Sequence, residues 1–182
     1  MLTDEEATRL VDGSLRGDGK AFEKLVDAYQ RVLFNVALRM VGDYEDANDV
    51  TQTVFIKAYE NLASFDRKHR FFSWIYRIMI NESLNHLHRI RRLEPLEEGI
   101  ISKERGPEEW AGESEASDII QAALMELSPE YREVIVLRHF VQLTHREMSG
   151  ALEIPEKTVK SRLHTARQLL GCILQKRGVA LA

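Results

Sequence analysis

The stretch THREMSGALEIPEKTVKSRLHTARQLL, residues 144–170, decides the fold of the carboxy-terminal third of this chain. Thr144 and Glu147 have the spacing of a capping box, in which each side chain bonds the other residue's backbone N–H, so a short helix is expected to begin here. The residues at 153–155 then separate it from a longer helix with one inward apolar stripe: Val159, Leu163, Ala166 and Leu170. Short helix, tight turn and longer helix predict a helix-turn-helix.

The outward face of the second helix carries side chains that suit a DNA groove. Five of them can hydrogen-bond base edges: Lys160, Ser161, His164, Thr165 and Gln168. Arg162 and Arg167 flank them within reach of phosphates. The alternative, a basic surface helix that binds nothing, is disfavoured by the capped helix and short turn that precede it. Many such turns have glycine where this chain has Glu153, which predicts a modest cost in stability and no change of fold.

Charge is distributed unevenly along the 182 residues. The formal net charge is −4. Residues 93–118 hold nine acids against Lys103 and Arg105, a charge of −7, so the remainder is +3. This segment also contains proline and glycine and lacks a hydrophobic period, which is typical of a linker. Residues 66–92 and 155–177 are basic. The pattern predicts two basic domains joined by an acidic flexible linker.

Composition excludes several classes of protein. The single cysteine, Cys172, excludes an internal disulfide and a cysteine-based zinc site, and the six histidines are scattered, so neither metal nor cofactor is expected. No apolar run is long enough to cross a bilayer, and the acidic amino terminus is unlike a signal peptide. A cytoplasmic protein without membrane insertion is expected. An enzyme is the least supported class, because the sequence shows neither a glycine-rich phosphate loop nor a nucleophile–base pair.

The amino-terminal half has a helical period almost throughout. Apolar residues recur at intervals of three and four from Ala21 to Met40, Asp43 or Asp46 can begin the next helix, and a third segment runs from about Phe71 to Arg92. Ser128 and Pro129 supply an N-cap and a first-turn proline after the linker. No window alternates with a period of two for long enough to indicate a sheet. The predicted fold class is all-α, with two small helical domains.

The segment FFSWIYRIMINESLNHLHRIRR, residues 71–92, combines aromatic and basic side chains. Four rings within six residues, framed by arginines and Lys68, indicate a platform on which unstacked single-stranded bases could stack. Asn81 and Asn85, four residues apart, place two amides on one helical face. The alternative is that these aromatic residues are core.

The preceding helix, residues 44–60, has two kinds of face. One face is an apolar stripe, and the other combines polar and apolar residues: Asn48, Asp49, Gln52, Phe55, Ile56 and Tyr59. Exposed apolar residues indicate docking against another protein. On pattern alone, a helix buried on two sides within its own domain is an equal alternative.

These motifs together resemble the extracytoplasmic-function class of bacterial sigma factors, the minimal members of the sigma-70 family. The resemblance covers residues 18–92 and 116–174 and rests on DYEDANDVTQTVF, FFSWIYRIMINESLNHL and LSPEYREVIVLRHFVQLTHREMSGALEIPEKTVKSRLHTAR. It implies a non-catalytic subunit that gives core RNA polymerase its promoter specificity. It also implies a region 2 domain at 1–92, a linker at 93–115 that threads a polymerase channel, and a region 4 domain at 116–182.

The resemblance assigns residues to three contacts. The expected partner is core RNA polymerase, through its beta and beta-prime subunits. Polymerase docking, on the clamp coiled coil of the largest subunit, falls on the α-helical residues Asn48, Asp49, Gln52 and Phe55. Recognition of the minus-ten element falls on Arg70, Trp74, Arg77, Asn81 and Asn85. Recognition of the minus-thirty-five element falls on Lys157, Thr158, Lys160, Ser161, Arg162, His164, Thr165 and Arg167. The family is commonly held inactive by an anti-sigma factor, which is therefore an expected partner.

The chain departs from the family pattern at three places. Thr53 stands where an acid usually follows the glutamine, Lys157 stands where glycine is frequent, and the loop before Phe71 reads DRKHR where many members have glycine. Two other functions remain open at this point. A free-standing helix-turn-helix regulator would account for the second domain, and an RNA-binding helical protein would account for the basic aromatic segment.

Overall fold

The structure is a computed structural model that describes residues 2–93 and 115–179. The first bundle contains α1 (Asp4–Leu15), α2 (Gly19–Val41), α3 (Tyr44–Glu60) and α4 (Phe71–Leu93). The second contains α5 (Glu115–Met125), α6 (Pro129–Ile135), a π-helical segment (Val136–Phe140), α7 (His145–Leu152) and α8 (Glu156–Lys176). No strand occurs in these two described ranges, so the all-α prediction is confirmed. Most of the acidic linker, including its predicted path through a polymerase channel, lies outside the described residues.

The helices begin where local capping signals place them. Thr3 forms a capping box with Glu6, whose Oε2 lies 2.8 Å from the Thr3 backbone nitrogen. Asp43 caps α3 by accepting from the backbone N–H of Asp46 at 3.0 Å. Pro129 occupies the first position of α6 as predicted, although the Ser128 side chain makes no capping bond. Side-chain acceptors satisfy backbone N–H groups that the first helical turn leaves without partners, which explains the agreement with sequence.

The aromatic cluster of α4 lies in the core. Phe71, Phe72, Trp74 and Tyr76 are 2%, 8%, 7% and 0% exposed. Their rings contact one another and also Phe65 and Tyr29. The centroid of the Phe71 ring lies 5.5 Å from the centroids of both Tyr29 and Phe65. The interpretation of the cluster as an exposed stacking platform is therefore wrong. The physical reason is that α4 packs against α1, α2, α3 and α7, so its apolar rings are covered.

The helix-turn-helix has the predicted layout. The α7 capping box is present, with Glu147 Oε2 2.8 Å from the Thr144 nitrogen. Val159, Leu163 and Ala166 of α8 are buried together with Met148 and Ala151 of α7, and Leu170 is partly buried. Glu153 adopts left-handed backbone angles, φ 54° and ψ 35°, so the expectation of an unfavourable conformation in the turn is confirmed.

The two bundles pack directly against each other. Arg39 of α2 donates to Gln121 Oε1 of α5 at 3.0 Å and lies over the Phe140 ring, 4.9 Å from its centroid. Gly42, the left-handed C-cap of α2, faces Met125, whose sulfur would lie 2.5 Å from any Cβ at position 42. A side chain at this glycine would thus meet both backbone strain and a packing conflict.

The buried guanidinium of Arg132 in α6 joins the ends of two helices. It donates to the carbonyl oxygens of Leu124, Met125 and Leu127 at 2.9, 3.0 and 3.1 Å, and also to the carbonyl oxygen of Met40 in α2. These groups belong to or follow the last turns of α2 and α5, which leave carbonyls without intrahelical partners and carry partial negative charge. Burial lowers the pKa of Arg132 to about 10, so the group remains charged at neutral pH.

Candidate nucleic-acid interface

The outer face of α8 presents a row of polar and basic side chains. Lys157, Lys160, Ser161 and His164 are exposed, while Thr158 and Thr165 are partly buried. Lys160 forms an ion pair with Glu156, one turn earlier, at 3.0 Å. Because the stripe on the opposite side is buried, this row is the part of α8 that a duplex can reach.

Two arginines of α8 have partners within the second bundle. Arg162 Nη1 lies 3.3 Å from Glu133 Oε1 of α6, and Arg167 Nε lies 3.3 Å from His139 Nε2 of the π-helical segment. The Arg162 side chain is only 31% exposed. Sequence reasoning directed both guanidinium groups toward phosphates, whereas here Arg162 points back to α6. Its DNA contact stays a prediction, and it requires the side chain to leave Glu133.

The buried carboxyl of Glu133 has a raised pKa. Its side chain is 6% exposed. Burial raises the pKa of Glu133 from 4.5 to about 7, and the nearby guanidinium of Arg162 opposes that rise only in part. Between these two values the unfolded chain releases a proton that the folded chain retains. The free energy of unfolding therefore falls as pH rises through this window, and the contribution levels off above it.

We expect Glu133→Gln to remove most of that pH dependence. The shift in the pKa of Glu133 corresponds to a change of roughly 3 kcal/mol in the free energy of unfolding across the whole window. Measured by urea denaturation, the free energy of unfolding of the wild type should therefore fall between about pH 5 and about pH 8 by roughly 2–3 kcal/mol more than that of the variant. Glu130→Gln is the matched control, because Glu130 also faces Arg162 but its side chain is 56% exposed. Equal pH profiles for the wild type and Glu133→Gln would contradict the assignment.

The exposed side of α4 carries the residues assigned to the minus-ten element. Asn81 and Asn85 are exposed, one turn apart, on the face away from the core. Trp74 is nearly buried but lines a cleft at the amino-terminal end of the helix. Arg70 and Arg77 line the same cleft. The structure therefore separates the predicted set into an amide pair on the open face and a cleft group at the helix start.

The cleft is a space of about 730 Å³ between the two bundles. The first bundle contributes basic and hydroxyl groups from the loop before α4 and its first turns, and the second contributes α7 and the turn after it. Arg77 Nη1 lies 2.6 Å from Glu153 Oε1 across the cleft, and Arg70 forms an ion pair with Glu147. Arg70 and Arg77 thus contact acids of the helix-turn-helix.

The α1 helix positions the basic loop, a role that sequence reasoning missed. Arg70 Nε lies 2.7 Å from Asp4 Oδ2, and Arg67 Nε lies 2.9 Å from Asp12 Oδ1. The Arg70 guanidinium also stacks over Phe72, 5.0 Å from the ring centroid. The sequence signal that could have indicated this contact is the presence of acids on one face of α1 and of a basic loop elsewhere in the chain. Charge complementarity alone does not identify which of several acids makes the contact.

The outer face of α3 is open to solvent, which is one of the two alternatives that its sequence pattern left open. Ile56 and Tyr59 are each 59% exposed, Asp49 and Gln52 are exposed, and Phe55 and Asn48 are partly buried. The inner stripe, Ala47, Val50, Val54 and Ala58, is buried. The alternative of a helix buried on two sides is therefore excluded. Large exposed apolar side chains beside polar groups are typical of a protein docking surface.

Thr53 lies on the same helix, one turn after Asp49. Its hydroxyl donates to the backbone carbonyl of Asp49 at 2.8 Å. The hydroxyl is thereby directed along its own helix. The negative charge on this face accordingly comes from Asp49 rather than from residue 53.

Two family models match this chain, one in each bundle. Residues 25–93 match Sigma-70 region 2, and residues 117–170 match Sigma-70 region 4. The first match covers most of α2, α3 and α4, and the second covers α5 through most of α8.

Curated relatives match over nearly the whole chain. The chain is 34% identical to the ECF RNA polymerase sigma factor SigW of Bacillus subtilis over 85% of this chain and 89% of that protein. It is 31% identical to the RNA polymerase sigma-H factor of Pseudomonas aeruginosa, with 96% and 97% covered. It is 32% identical to the ECF RNA polymerase sigma-E factor of Escherichia coli, with 93% of each covered.

Solved structures share the fold. CnrH, solved in complex with the cytosolic domain of CnrY, superposes with a TM-score of 0.71 at 24% identity, over 95% of this chain and 97% of that one. The sigma factor RpoE of Bartonella quintana, solved with the anti-sigma factor NepR, gives 0.70 at 23% identity, over 86% and 98%.

The two family-model matches and the curated relatives define a helical DNA-binding protein of the promoter-recognition class. The chain belongs to the sigma-70 family and is an extracytoplasmic-function RNA polymerase sigma factor. Its partners are core RNA polymerase and promoter DNA.

Among the described residues, no helix combines the length and apolar character needed to cross a membrane.

Proposed function

We propose that this sigma factor acts in the cytoplasm through three separate surfaces, one for the polymerase and one for each promoter element. The α3 face docks on the core enzyme, the α4 residues capture the opened minus-ten strand, and the outer row of α8 reads the minus-thirty-five duplex. The observation that supports this division is that each assigned set occupies a different helix with its own accessible face or cleft. No assigned set extends into another.

The structure supports a different minus-ten mechanism from aromatic stacking. Since the four rings of α4 are core residues, the groups that could bind a displaced strand are the amides of Asn81 and Asn85, the cleft edge of Trp74, and two arginines that are here paired with carboxylates of the second bundle. Amides can hydrogen-bond base edges, and guanidinium groups can bind phosphates in a bidentate manner. The proposed strand path runs from the cleft along the open face of α4 toward its basic end, where Asn85, His88, Arg89 and Arg92 line a second depression.

An anti-sigma factor is the proposed regulatory partner. Such a protein could control the factor by covering the exposed α3 patch or the cleft between the bundles. Either site would block a surface on which initiation depends.

The test is transcription in vitro with purified components. We expect promoter-specific transcript only when core polymerase and this chain are both present. Promoter binding without core polymerase would support a free-standing regulator instead. Preference for single-stranded RNA over forked promoter DNA in competition would indicate an RNA-binding protein.

Lys160→Ala tests the minus-thirty-five contact. Lys160 is exposed at the centre of the α8 row, so the variant should fold normally and weaken holoenzyme binding to promoter duplex by roughly tenfold. The loss should be smaller on duplex whose minus-thirty-five element is scrambled. Lys24→Ala, an exposed lysine of α2, is the control for charge. Equal losses on both duplexes would show that Lys160 only contacts phosphate.

A further inference from the structure

The arginines assigned to the minus-ten strand are occupied by carboxylates of the second bundle. Arg77 Nη1 lies 2.6 Å from Glu153 Oε1, and Arg70 is paired with Glu147. The partners are separated by 76 and 77 residues in sequence. Each pair joins one carboxylate oxygen to one guanidinium nitrogen, a charge-assisted contact of the kind that a phosphate oxygen also makes. The two acids therefore occupy guanidinium groups that strand phosphates would need.

Glu153 occupies a backbone position that disfavours it. Its φ of 54° is in the left-handed region, which glycine adopts without a steric penalty and glutamate does not. The turn itself is closed by other groups, since the Ser149 hydroxyl donates to the Ile154 carbonyl at 2.6 Å. The contact that the structure gives the Glu153 side chain is the one with Arg77. The strained residue thus serves the interface between bundles rather than the turn.

Glu147 is held in place for the same contact. One of its oxygens, Oε2, accepts from the backbone and hydroxyl of Thr144, both at 2.8 Å, while Oε1 faces Arg70. Burial raises the pKa of Glu147, but the Thr144 hydrogen bonds and Arg70 outweigh that effect, so the net pKa is lowered. The carboxylate is therefore charged at neutral pH and fixed before any ligand arrives.

We propose that Glu147 and Glu153 form an intramolecular latch in which the helix-turn-helix domain competes with promoter single strand for Arg70 and Arg77. The latch keeps the free sigma factor a poor single-strand binder. Binding to core polymerase separates the two bundles, which frees Arg77 and leaves Arg70 with its partner Asp4 in the first bundle. Both pairs are partly exposed to solvent, with Arg77 at 37% and Glu153 at 65%. Exposed pairs are weak, so opening the latch costs mainly the packing between the bundles, which includes the buried bond from Arg132 to Met40 and which binding to core polymerase has to offset. This inference rests on the proposed minus-ten role of the two arginines.

The experiment uses the full-length chain and a short fluorescein-labelled single-stranded DNA pool of random sequence. We expect Glu153→Gly to bind this probe several-fold more tightly than the wild type, and its thermal unfolding temperature to be equal or higher because glycine relieves the backbone strain. Glu153→Gln should show the same gain in binding without the gain in stability. Adding Glu147→Gln, which keeps the capping box, should bring the total gain to roughly three- to tenfold. The controls are Glu126→Gln for the single variant, and Glu126→Gln with Glu5→Gln for the double variant, which remove the same number of charges at exposed sites away from the cleft.

Combination with Arg77→Ala separates the possible failures. If the latch exists, Arg77→Ala costs more binding in the Glu153→Gln background than in the wild type, because only there is the guanidinium available. If Arg77→Ala lowers binding equally in both backgrounds, and Glu153→Gln matches the charge control, the latch is refuted while the arginine retains its DNA role. If Arg77→Ala changes binding in neither background, the proposed function of Arg77 fails and the latch fails with it.

Discussion

Replacing Arg132 by methionine is expected to destabilise the fold by about 3–5 kcal/mol. Arg132 is 5% exposed. Its guanidinium donates to four backbone carbonyls, three of which lie at the end of α5 or just after it. Methionine fills a similar volume but leaves these carbonyls buried without donors. Each unsatisfied buried carbonyl costs on the order of 1–3 kcal/mol, reduced where water can enter. The measurement is the free energy of unfolding from urea denaturation.

Arg138→Met is the matched control for this substitution. Arg138 lies in the adjacent π-helical segment and donates to the Leu143 carbonyl at 2.8 Å from a partly buried position. Its loss should cost about 1 kcal/mol, because a single neutral acceptor is affected. Since Arg132 also reaches Met40 of α2, Arg132→Met should in addition loosen the contact between the two bundles. A smaller loss for Arg132→Met than for Arg138→Met would refute this role.

Ile56→Glu is expected to weaken binding to core RNA polymerase by roughly 30- to 100-fold, which corresponds to about 2–3 kcal/mol. Ile56 is 59% exposed at the centre of the outer face of α3, with Tyr59 one turn away. If the polymerase covers this face, a carboxylate there would lose its hydration without gaining a partner. The fold should be unaffected, because an exposed helical position accepts glutamate readily. Binding is measured by fluorescence anisotropy with labelled sigma factor.

Leu15→Glu provides the comparison for the docking surface. Leu15 is 42% exposed at the end of α1 in the same bundle, so the substitution adds an equal charge to an exposed apolar position outside the assigned face. It should leave core affinity within about twofold. Similar losses for both variants would point to a general charge effect, and unchanged affinity for Ile56→Glu would remove this residue from the interface.

Local signals were sufficient for the helices and for the helix-turn-helix. The capping box at Thr144, the start of α3 at Asp43 and the turn at Glu153 all involve residues within a few positions of one another. The inner stripes of α3 and α8 followed equally from periodicity, because a helix buries residues three and four apart. The strained conformation at Glu153 was also readable, since a tight turn between two helices requires an unusual backbone angle.

Burial and contacts over long sequence distances were decided by the tertiary structure alone. The sequence pattern predicted that the α4 rings form a binding platform, whereas in the structure helices from both bundles cover them. The reason is that composition does not specify how many sides of a helix are packed. The bond from Arg132 to Met40 and the pairing of Arg77 with Glu153 join segments far apart in the chain, and many alternative pairings have the same charge. The amino-acid sequence by itself thus determined the helices and the class of protein. The packing of the two bundles decided which of its arginines are free to bind DNA.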